Sequence, residues 1–340
     1  MVSSRATLPQ VAELAGVSLA SASRALHGTG ASKAMVERVR AAADELGYQP
    51  DPAGRTLRMR RTFQIAFAVA DIGNPVYVEM MSAIQGAVAD RGYRLVVAAT
   101  GDTAASTIDL VRGLAAGHVD GLVVSPLRIT DDLVSELREC TVPVVVIGRS
   151  LEDAGISSVS TDSAGGIGAA VAHVLALGRR RIGFLNGPTD TTPGSARQRG
   201  FDEAVAGERF AAEVVDTQTA DDFTVAAGVA AARTLLGRHE GAPLDAVVAA
   251  NDLLAIGAIK AAREAGLNVP ADLAVTGMDD TEIGQVYQPS LTSVSLRSAE
   301  RGRLAAELML RLLDEPSSGP ATVFVEPELR VRESTREEKP

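Results

Sequence analysis

Several residue types that support particular chemistries are scarce in this 340-residue sequence. Its one cysteine, Cys140, excludes an internal disulfide, and its four histidines stand far apart, without the spacing of a zinc site. No apolar run reaches the roughly 18 residues that a membrane span needs. Residues 1–10 lack the apolar core of a signal peptide, so we expect a cytoplasmic protein. The scarcity of cysteine and histidine leads us to expect no bound metal, and we expect no other cofactor.

Charge is distributed unevenly along the chain. The formal net charge is −10, yet residues 1–61, the head, carry nine lysines and arginines against five acidic residues, a net +4. The remaining residues, the body, therefore carry −14. Neutralising DNA phosphates releases bound counterions, so a basic segment of this kind favours nucleic-acid binding. A basic linker without a partner is the alternative.

The head has the pattern of three short helices. Apolar residues at helical spacing mark a first helix over residues 8–15, and Gly16 and Ser18 supply a turn and a helix cap. Further helices are expected over residues 19–26 and 32–46. Two short helices joined by a glycine-containing turn form a helix-turn-helix, whose second helix reads the DNA major groove. A three-helix protein-docking module has the same pattern, so the pattern alone leaves both functions open.

Motifs along nearly the whole chain carry a family resemblance. The head contains VAELAGVS at residues 11–18, SRALHG at 23–28 and LGYQP at 46–50. The body contains DIGNP at 71–75, ND at 251–252, GMDD at 277–280, PSLTSV at 289–294 and PELRVRES at 327–334. Together these motifs resemble the LacI/GalR family of bacterial transcriptional regulators. Departures are mild: Ala22 and Ala25 stand where the family usually has valine, and His27 where it usually has asparagine.

The resemblance implies a set of DNA contacts in the second helix. It places Leu19, Ala20 and Arg24 against base edges, and it positions Ser21 and Ser23 to reach bases or phosphates. Arg24 has the donors for a bidentate contact to guanine, whereas Leu19 and Ala20 offer only apolar contact, for example with a thymine methyl group. The alternative for Leu19 is an ordinary core residue.

Residues 51–58, DPAGRTLR, resemble the hinge of the family, which becomes a helix in the minor groove only on the operator. The resemblance assigns DNA contacts there to Ala53, Arg55, Leu57 and Arg58. Leu57 matches the leucine that is inserted between the central base pairs together with its dimer mate. The glycine and prolines of this segment are poor helix formers, as expected for a helix that forms only on DNA. An ordinary linker residue is the alternative for Leu57.

The body alternates short apolar runs with helical patterns, which predicts parallel sheets covered by helices. Strands are expected over residues 65–70, 95–99, 121–124, 142–147, 182–185, 246–250 and 274–277. Two similar halves indicate two lobes around a cleft, and the resemblance implies the two-lobed, periplasmic-binding-protein-like fold of type I.

The chain is thus expected to combine a small all-α head with an α/β core. The helix-turn-helix domain takes residues 1–49, the hinge 50–61, the core 62–335 and a tail 336–340. The resemblance implies that the chain returns through both lobes. We expect an N-lobe of residues 62–160 plus 291–320 and a C-lobe of residues 161–290 plus 321–335.

Polar residues that follow strands or begin helices are the candidate ligand contacts, because ligands of open α/β sheets bind at the carboxyl ends of the strands. With the family correspondence, the set is Asp71, Asn74, Tyr77, Arg149, Thr191, Arg197, Phe223, Asn251 and Asp279. Charged and amide groups form paired hydrogen bonds with neighbouring hydroxyls, and an aromatic ring covers the C–H side of a sugar. We therefore expect a sugar or sugar derivative as the effector. Helix capping or a salt bridge is the alternative role for each residue alone.

Two other classes of function have weaker support. A secreted sugar-binding transport receptor would share the two-lobed body, but the basic head and its hinge leucine argue against it. A nucleotide-cofactor enzyme is suggested only by GIGAAV at residues 166–171, which lacks the third glycine of a dinucleotide fingerprint. Asp279 and Asp280, as neighbours on an extended chain end, should point apart and share no proton. The sequence therefore predicts a non-enzymatic repressor that binds a pseudo-palindromic DNA operator as a homodimer.

Overall fold

The computed structural model describes residues 6–27, 30–48, 61–207, 213–239 and 241–336. The chain divides into two compact units, Met1–Thr62 and Phe63–Pro340. This boundary lies one residue beyond residue 61, where the charge distribution placed the end of the head. Each unit buries its own apolar side chains. Within the described ranges, no helix is both long enough and apolar enough to cross a membrane.

The described part of the head contains the helices α1 (Leu8–Leu14), α2 (Leu19–His27) and α3 (Lys33–Glu45). Helix α1 begins at a capping box, in which the Thr7 amide donates to Oε1 of Gln10 at 2.8 Å. Small side chains build the core between the helices, and Ala22 and Ala25, two of the departures from the family pattern, are fully buried in it.

The N-lobe of the body has a six-stranded parallel sheet. Its strands are β1 (Gln64–Val69), β2 (Arg94–Ala99), β3 (Gly121–Ser125), β4 (Val144–Gly148), β5 (Ser157–Thr161) and β11 (Thr322–Val325). They lie in the order β11-β5-β4-β3-β1-β2. Its helices are α4 (Pro75–Ala89), α5 (Ala104–Ala115), α6 (Asp131–Arg138) and α12 (Ser298–Asp314). The inner strands are buried apolar runs, as expected for a parallel sheet covered on both faces.

The C-lobe repeats this arrangement with a second six-stranded sheet. Its strands are β6 (Arg181–Asn186), β7 (Val214–Thr219), β8 (Ala246–Ala249), β9 (Ala274–Met278), β10 (Thr292–Ser295) and β12 (Glu328–Arg330). They lie in the order β12-β10-β9-β8-β6-β7, and among these strands only the β10–β12 pair is antiparallel. Its helices are α7 (Ser163–Ala176), α8 (Thr192–Ala206), α9 (Val225–Gly237), α10 (Asp252–Glu264) and α11 (Glu282–Val286).

The chain passes between the two lobes after β5, after β10 and after β11. The second and third passages differ from the sequence expectation, which placed residues 291–320 in the N-lobe and 321–335 in the C-lobe. Strand β10 belongs to the C-lobe sheet, where Val294 pairs with Met278 of β9. Strand β11 belongs to the N-lobe sheet, where Phe324 pairs with Ser160 of β5. Both strands have only four residues, too few for a period to show which sheet they join.

Candidate functional site: a helix surface in the head and a cleft in the body

The second helix of the head has one buried and one exposed face. Ala22 and Ala25 face the core, while Leu19, Ala20 and Arg24 are exposed, Leu19 to 51%. Leu19 is therefore not a core residue, although its apolar side chain alone would suit one. An exposed leucine at the start of a helix, with an arginine between one and two turns further along, leaves apolar and cationic groups available to a partner.

Serines order the beginning of this helix. The Ser18 hydroxyl accepts from the Ser21 amide at 3.2 Å and so caps α2. Nη2 of Arg24 donates to the Ser21 hydroxyl at 3.3 Å, which holds the guanidinium along the exposed face. Gly16 has φ +64°, a value that favours glycine, and turns the chain between α1 and α2.

The candidate DNA contacts in the hinge lie outside the described residues. These are Ala53, Arg55, Leu57 and Arg58. Ser23, the remaining candidate, is half-buried on α2.

The body contains a cavity of about 670 Å³ that both lobes line. The chain reaches it where strands end: Ser125, Arg149 and Thr161 end or follow N-lobe strands, while Asn251 and Asp279 follow C-lobe strands. Eight of the nine candidate ligand contacts line this cavity, namely Asn74, Tyr77, Arg149, Thr191, Arg197, Phe223, Asn251 and Asp279. Asp71 is not among the lining residues; its carboxylate is exposed and accepts from the Gly73 amide at 2.8 Å.

A buried ion pair occupies the C-lobe side of the cavity. Nη2 of Arg197 lies 3.5 Å from Oδ1 of Asp279, and the two side chains are only 8% and 6% exposed. The Arg197 guanidinium carbon also lies 5.9 Å from the centroid of the Phe223 ring. Burial raises the pKa of Asp279, against the opposing effect of Arg197 and then Arg301. The pair offers donors and an acceptor side by side.

Three of the candidate contacts that line the cavity cap helices. Oδ1 of Asn251 accepts from the Leu254 amide at 2.9 Å, and its Nδ2 donates to the Phe223 carbonyl at 3.1 Å. The Thr191 hydroxyl accepts from the Gly194 amide at 3.1 Å. Asn74 caps α4 in the same way. Their first role is thus to fix the chain at the ends of the strands.

On the N-lobe side, Tyr77 and Arg149 are the remaining candidates that the sequence singled out. Burial raises the pKa of Tyr77, and a side-chain hydrogen bond with Ser125 acts in the opposite direction. The Tyr77 ring meets Phe67 edge-on at 6.3 Å between centroids. Arg149 follows β4 and remains exposed at the cavity.

The structure adds a lining residue that the sequence analysis missed. Arg301 lies on α12, is only 5% exposed and lines the cavity. Burial lowers its pKa to about 10, with Asp279 as the main opposing influence. A signal was present, because Arg301 stands four residues before Ala305 on the buried stripe of an amphipathic helix. Beside it, a side chain at Gly302 would meet the Met80 backbone, so α12 and α4 pack closely there.

The glycine motif and the Asp279–Asp280 pair, the two features that suggested catalysis, each have another role in the structure. A side chain at Gly166 would meet Met278 and Val294 at 3.0 Å, so this glycine lets α7 lie close to the C-lobe sheet. Asp280 pairs with Arg332 at 2.6 Å, whereas Asp279 faces Arg197. The two carboxylates point apart, as expected, although both residues have positive φ and the chain there is not extended.

Comparisons with known proteins match both parts of the chain. A family model described as "Bacterial regulatory proteins, lacI family" matches residues 7–51, and one described as "Periplasmic binding protein-like domain" matches residues 171–335. The chain is similar to the HTH-type transcriptional regulator CelR of Thermobifida fusca, with 37% identity covering 97% of this chain and 98% of the relative.

Solved structures agree with this match. A complex of the transcriptional regulator CelR with cellobiose has a TM-score of 0.70 and 35% identity, covering 97% of this chain and 100% of that one. A lac repressor dimer bound to operator and the anti-inducer ONPF has a TM-score of 0.86 and 26% identity, covering 97% of this chain and 99% of that one.

Proposed function

This chain belongs to the LacI family of bacterial regulatory proteins, and from that premise we propose that it represses transcription under the control of a sugar or sugar derivative. As a homodimer it binds a pseudo-palindromic operator through two copies of α2, and the effector binds in the cleft between the lobes. Its target is operator DNA, so we place the protein in the cytoplasm.

The observation that carries the proposal is the group of side chains that meet in the cleft. The Arg197 guanidinium stands beside the Asp279 carboxylate and close to the Phe223 ring. A guanidinium and a carboxylate donate to and accept from neighbouring hydroxyls, and the ring packs against the C–H side of a sugar. The cavity of about 670 Å³ is within the range of pockets that enclose small ligands.

The relatives support the same function. One solved relative is a complex with cellobiose, which favours a sugar as the effector of this chain. Another is a dimer bound to its operator, which favours paired heads on two half-sites of DNA. Dimers of helix-turn-helix proteins place their recognition helices about one turn of DNA apart, so the operator should be an inverted repeat.

In the head we assign base reading to Leu19, Ala20 and Arg24, with Ser21 and Ser23 contacting bases or phosphates. The exposed face of α2 supports this assignment, because all three base-reading candidates are accessible without disturbing the core. In the hinge we assign minor-groove contacts to Ala53, Arg55 and Arg58 and insertion between base pairs to Leu57. These hinge assignments rest on the family pattern alone.

Control by the effector follows from the position of the cleft. Both lobes line it, so a ligand that contacts both favours one arrangement of the lobes over another. A ligand shifts such an equilibrium only by its difference in affinity for the two states. The side chains that hold the ligand therefore also set the size of the response, while the residues of α2 set the DNA sequence.

The test is a selection of binding sites from random duplexes with the full chain, followed by titration of the selected duplex in the presence of sugars. We expect an inverted repeat, and we expect at least one sugar or sugar derivative to change the affinity for it. A chain that selects no inverted repeat, or whose operator binding responds to none of these compounds, would contradict the proposal.

A further inference from the structure

Two arginines are buried in the wall of the cleft. Arg197 comes from the C-lobe and Arg301 from the N-lobe, and they are 7% and 5% exposed. The Nε atom of each is buried without a hydrogen-bond partner, as is the Thr161 hydroxyl in the same cavity wall. The cleft thus holds three groups with unused hydrogen-bonding capacity, and two of them belong to cations.

The acidic residues around the cleft do not balance these arginines. Asp279 lies 3.5 Å from Arg197, whereas Arg301 forms no salt bridge with any described carboxylate and donates only to the Ser298 hydroxyl, at 3.2 Å, in its described hydrogen bonds. Asp190, the other acidic lining residue, is engaged by Arg128 at 2.8 Å.

Further charged groups nearby leave the cavity positive. Glu79 interacts electrostatically with Arg301, but it is not among the lining residues. Arg199 lines the cavity from an exposed position and lies 3.8 Å from Glu203. Arg149 adds a further exposed cation to the wall. The two buried arginines of the cleft, Arg197 and Arg301, therefore face a single buried carboxylate, Asp279, which leaves an excess positive charge inside the cleft.

Arg301 keeps its charge despite its burial. Its pKa is lowered to about 10, which still leaves the guanidinium protonated at neutral pH. A buried cation without a paired anion is unfavourable, and an anion that reaches it forms hydrogen bonds about twice as strong as neutral ones. A neutral sugar would leave this charge uncompensated, whereas an acidic group would compensate it.

We propose that the effector carries an acidic group, a carboxylate or a phosphate, which binds between Arg301 and Arg197, so that a sugar acid or sugar phosphate is preferred over the neutral sugar. This inference rests on the proposed function, because it takes the cleft to be the effector site. Arg301 anchors the acidic group from the N-lobe and Arg197 from the C-lobe, so the acidic group joins the two lobes.

Calorimetry on the full chain with matched compounds tests the inference. The pairs are glucose against glucuronate and glucose 6-phosphate, cellobiose against cellobionate, and ribose against ribose 5-phosphate, all at equal ionic strength. We expect the acidic member of at least one pair to bind tenfold or more tightly than its neutral partner, about 1.4 kcal/mol. The uronate and phosphate arms distinguish the two kinds of acidic group.

Variants on α12 assign the preference to Arg301. Arg301→Met should remove it and Arg301→Lys should retain part of it. Arg303→Met is the matched control, because Arg303 is exposed on the same helix and pairs with Glu307, so this change should leave the preference intact. Melting curves establish whether each variant folds. If Arg301→Met does not fold, the matched compounds measured with the unaltered chain still decide whether an acidic group is preferred.

Equal or tighter binding of the neutral members overturns the inference, as does a preference that survives Arg301→Met or a failure of every acidic compound to bind at millimolar concentration. Operator titration separates this outcome from failure of the proposed function. If a neutral sugar changes operator binding, the proposed function stands and the acidic group is wrong. If no inverted repeat is bound, the proposed function fails whatever the ligand preference.

Discussion

The head and the body build their candidate contacts in opposite ways. On α2 the candidates Leu19 and Arg24 are exposed, while different side chains, Ala22 and Ala25, hold the helix in its core. In the cleft, the candidates Arg197 and Asp279 are themselves buried and form an ion pair with each other. The candidate binding residues and the residues that stabilise the fold are therefore separate in the head, whereas in the body they are the same.

This difference has a physical cause. An exposed side chain stays hydrated until a partner binds. Replacing it with another residue therefore changes the free energy of unfolding of the head only slightly. A buried charge has already lost its water and needs a compensating neighbour in the free protein. Substitutions in the cleft should therefore change folding and ligand binding together, whereas substitutions on the exposed face of α2 should change DNA binding alone.

The largest expected effect concerns a buried carboxylate of the body, Asp252. It accepts hydrogen bonds from the Thr281 amide at 2.7 Å, the Thr281 hydroxyl at 2.8 Å and the Ser293 hydroxyl at 2.6 Å. Burial, reinforced by Asp279, nevertheless raises the pKa of Asp252 to about 7. The folded protein therefore holds this proton up to a higher pH than the unfolded chain, in which an aspartate has a pKa of about 3.9.

The stability that this proton contributes is fully present below about pH 4 and is lost as the pH rises towards 7, by about 1.4 kcal/mol per pH unit. Asp252→Asn is neutral in both states, so the variant should gain stability relative to the unaltered chain over this range. Urea unfolding from pH 4.5 to 7.5 measures the difference. Asp221→Asn, at an exposed position, is the control. Parallel pH profiles for Asp252→Asn and the unaltered chain would rule out the raised pKa.

Removing Arg197 should lower both the stability of the body and its affinity for the effector. Arg197→Ala leaves the buried Asp279 without its nearest cation, so we expect the free energy of unfolding to fall by about 1 to 3 kcal/mol. We also expect the affinity for the effector to fall tenfold or more. Denaturant unfolding and calorimetry on the same preparation measure the two changes. A variant that loses ligand affinity at unchanged stability would show that the cleft separates the two roles after all.

In the head, Arg24→Ala should change DNA binding and leave the stability of the fold unchanged. The loss of a bidentate base contact should weaken specific DNA binding by about 1 to 3 kcal/mol per half-site and relax one base preference. Stability should change by less than about 0.5 kcal/mol, as is usual for exposed positions. Binding-site selection and melting curves with the variant provide the two measurements, and a large drop in melting temperature would contradict the separation.

The smallest expected effect compares the two faces of α2 directly. Leu19→Ser removes an exposed side chain and should leave the unfolding free energy within about 0.5 kcal/mol of its original value. Ala22→Ser on the buried face places a hydroxyl in the core and should be clearly more destabilising, by about 1 to 3 kcal/mol. Denaturant unfolding of both variants under identical conditions makes the comparison. Equal losses would mean that Leu19 also contributes to the core.

Local patterns made much of this molecule predictable from its sequence. The helix-turn-helix could be predicted because Gly16 ends the first helical pattern with a turn and Ser18 caps the second helix. The strand-end candidates were readable because parallel strands end at one edge of a sheet, and the cavity brings Tyr77, Arg197 and Asp279 together there. Asp71 follows the same rule and still lies outside the cavity lining, because its carboxylate caps its own turn.

The features that escaped prediction depend on non-local contacts. The four-residue strands β10 and β11 have no period of their own, and only pairing across the sheets assigns each to a lobe. Arg301 lies beyond Asp279, the last of the residues that the sequence singled out, and it lines the cavity next to Gly302, where α12 approaches α4 closely. A charged residue on an otherwise apolar stripe of the helix was the sequence feature that could have predicted Arg301 as a cavity residue.

The central claim is that the cleft and the DNA-reading surface are separate sites joined by a shared equilibrium. The most direct test titrates the selected operator with the unaltered chain and with Arg197→Ala, each with and without the tightest-binding compound of the matched pairs. We predict equal operator affinities within a few-fold in the absence of the compound. On its addition, the affinity of the unaltered chain should change tenfold or more, while that of the variant stays constant. Loss of operator binding by Arg197→Ala without the compound, or an undiminished response to it, would contradict the account.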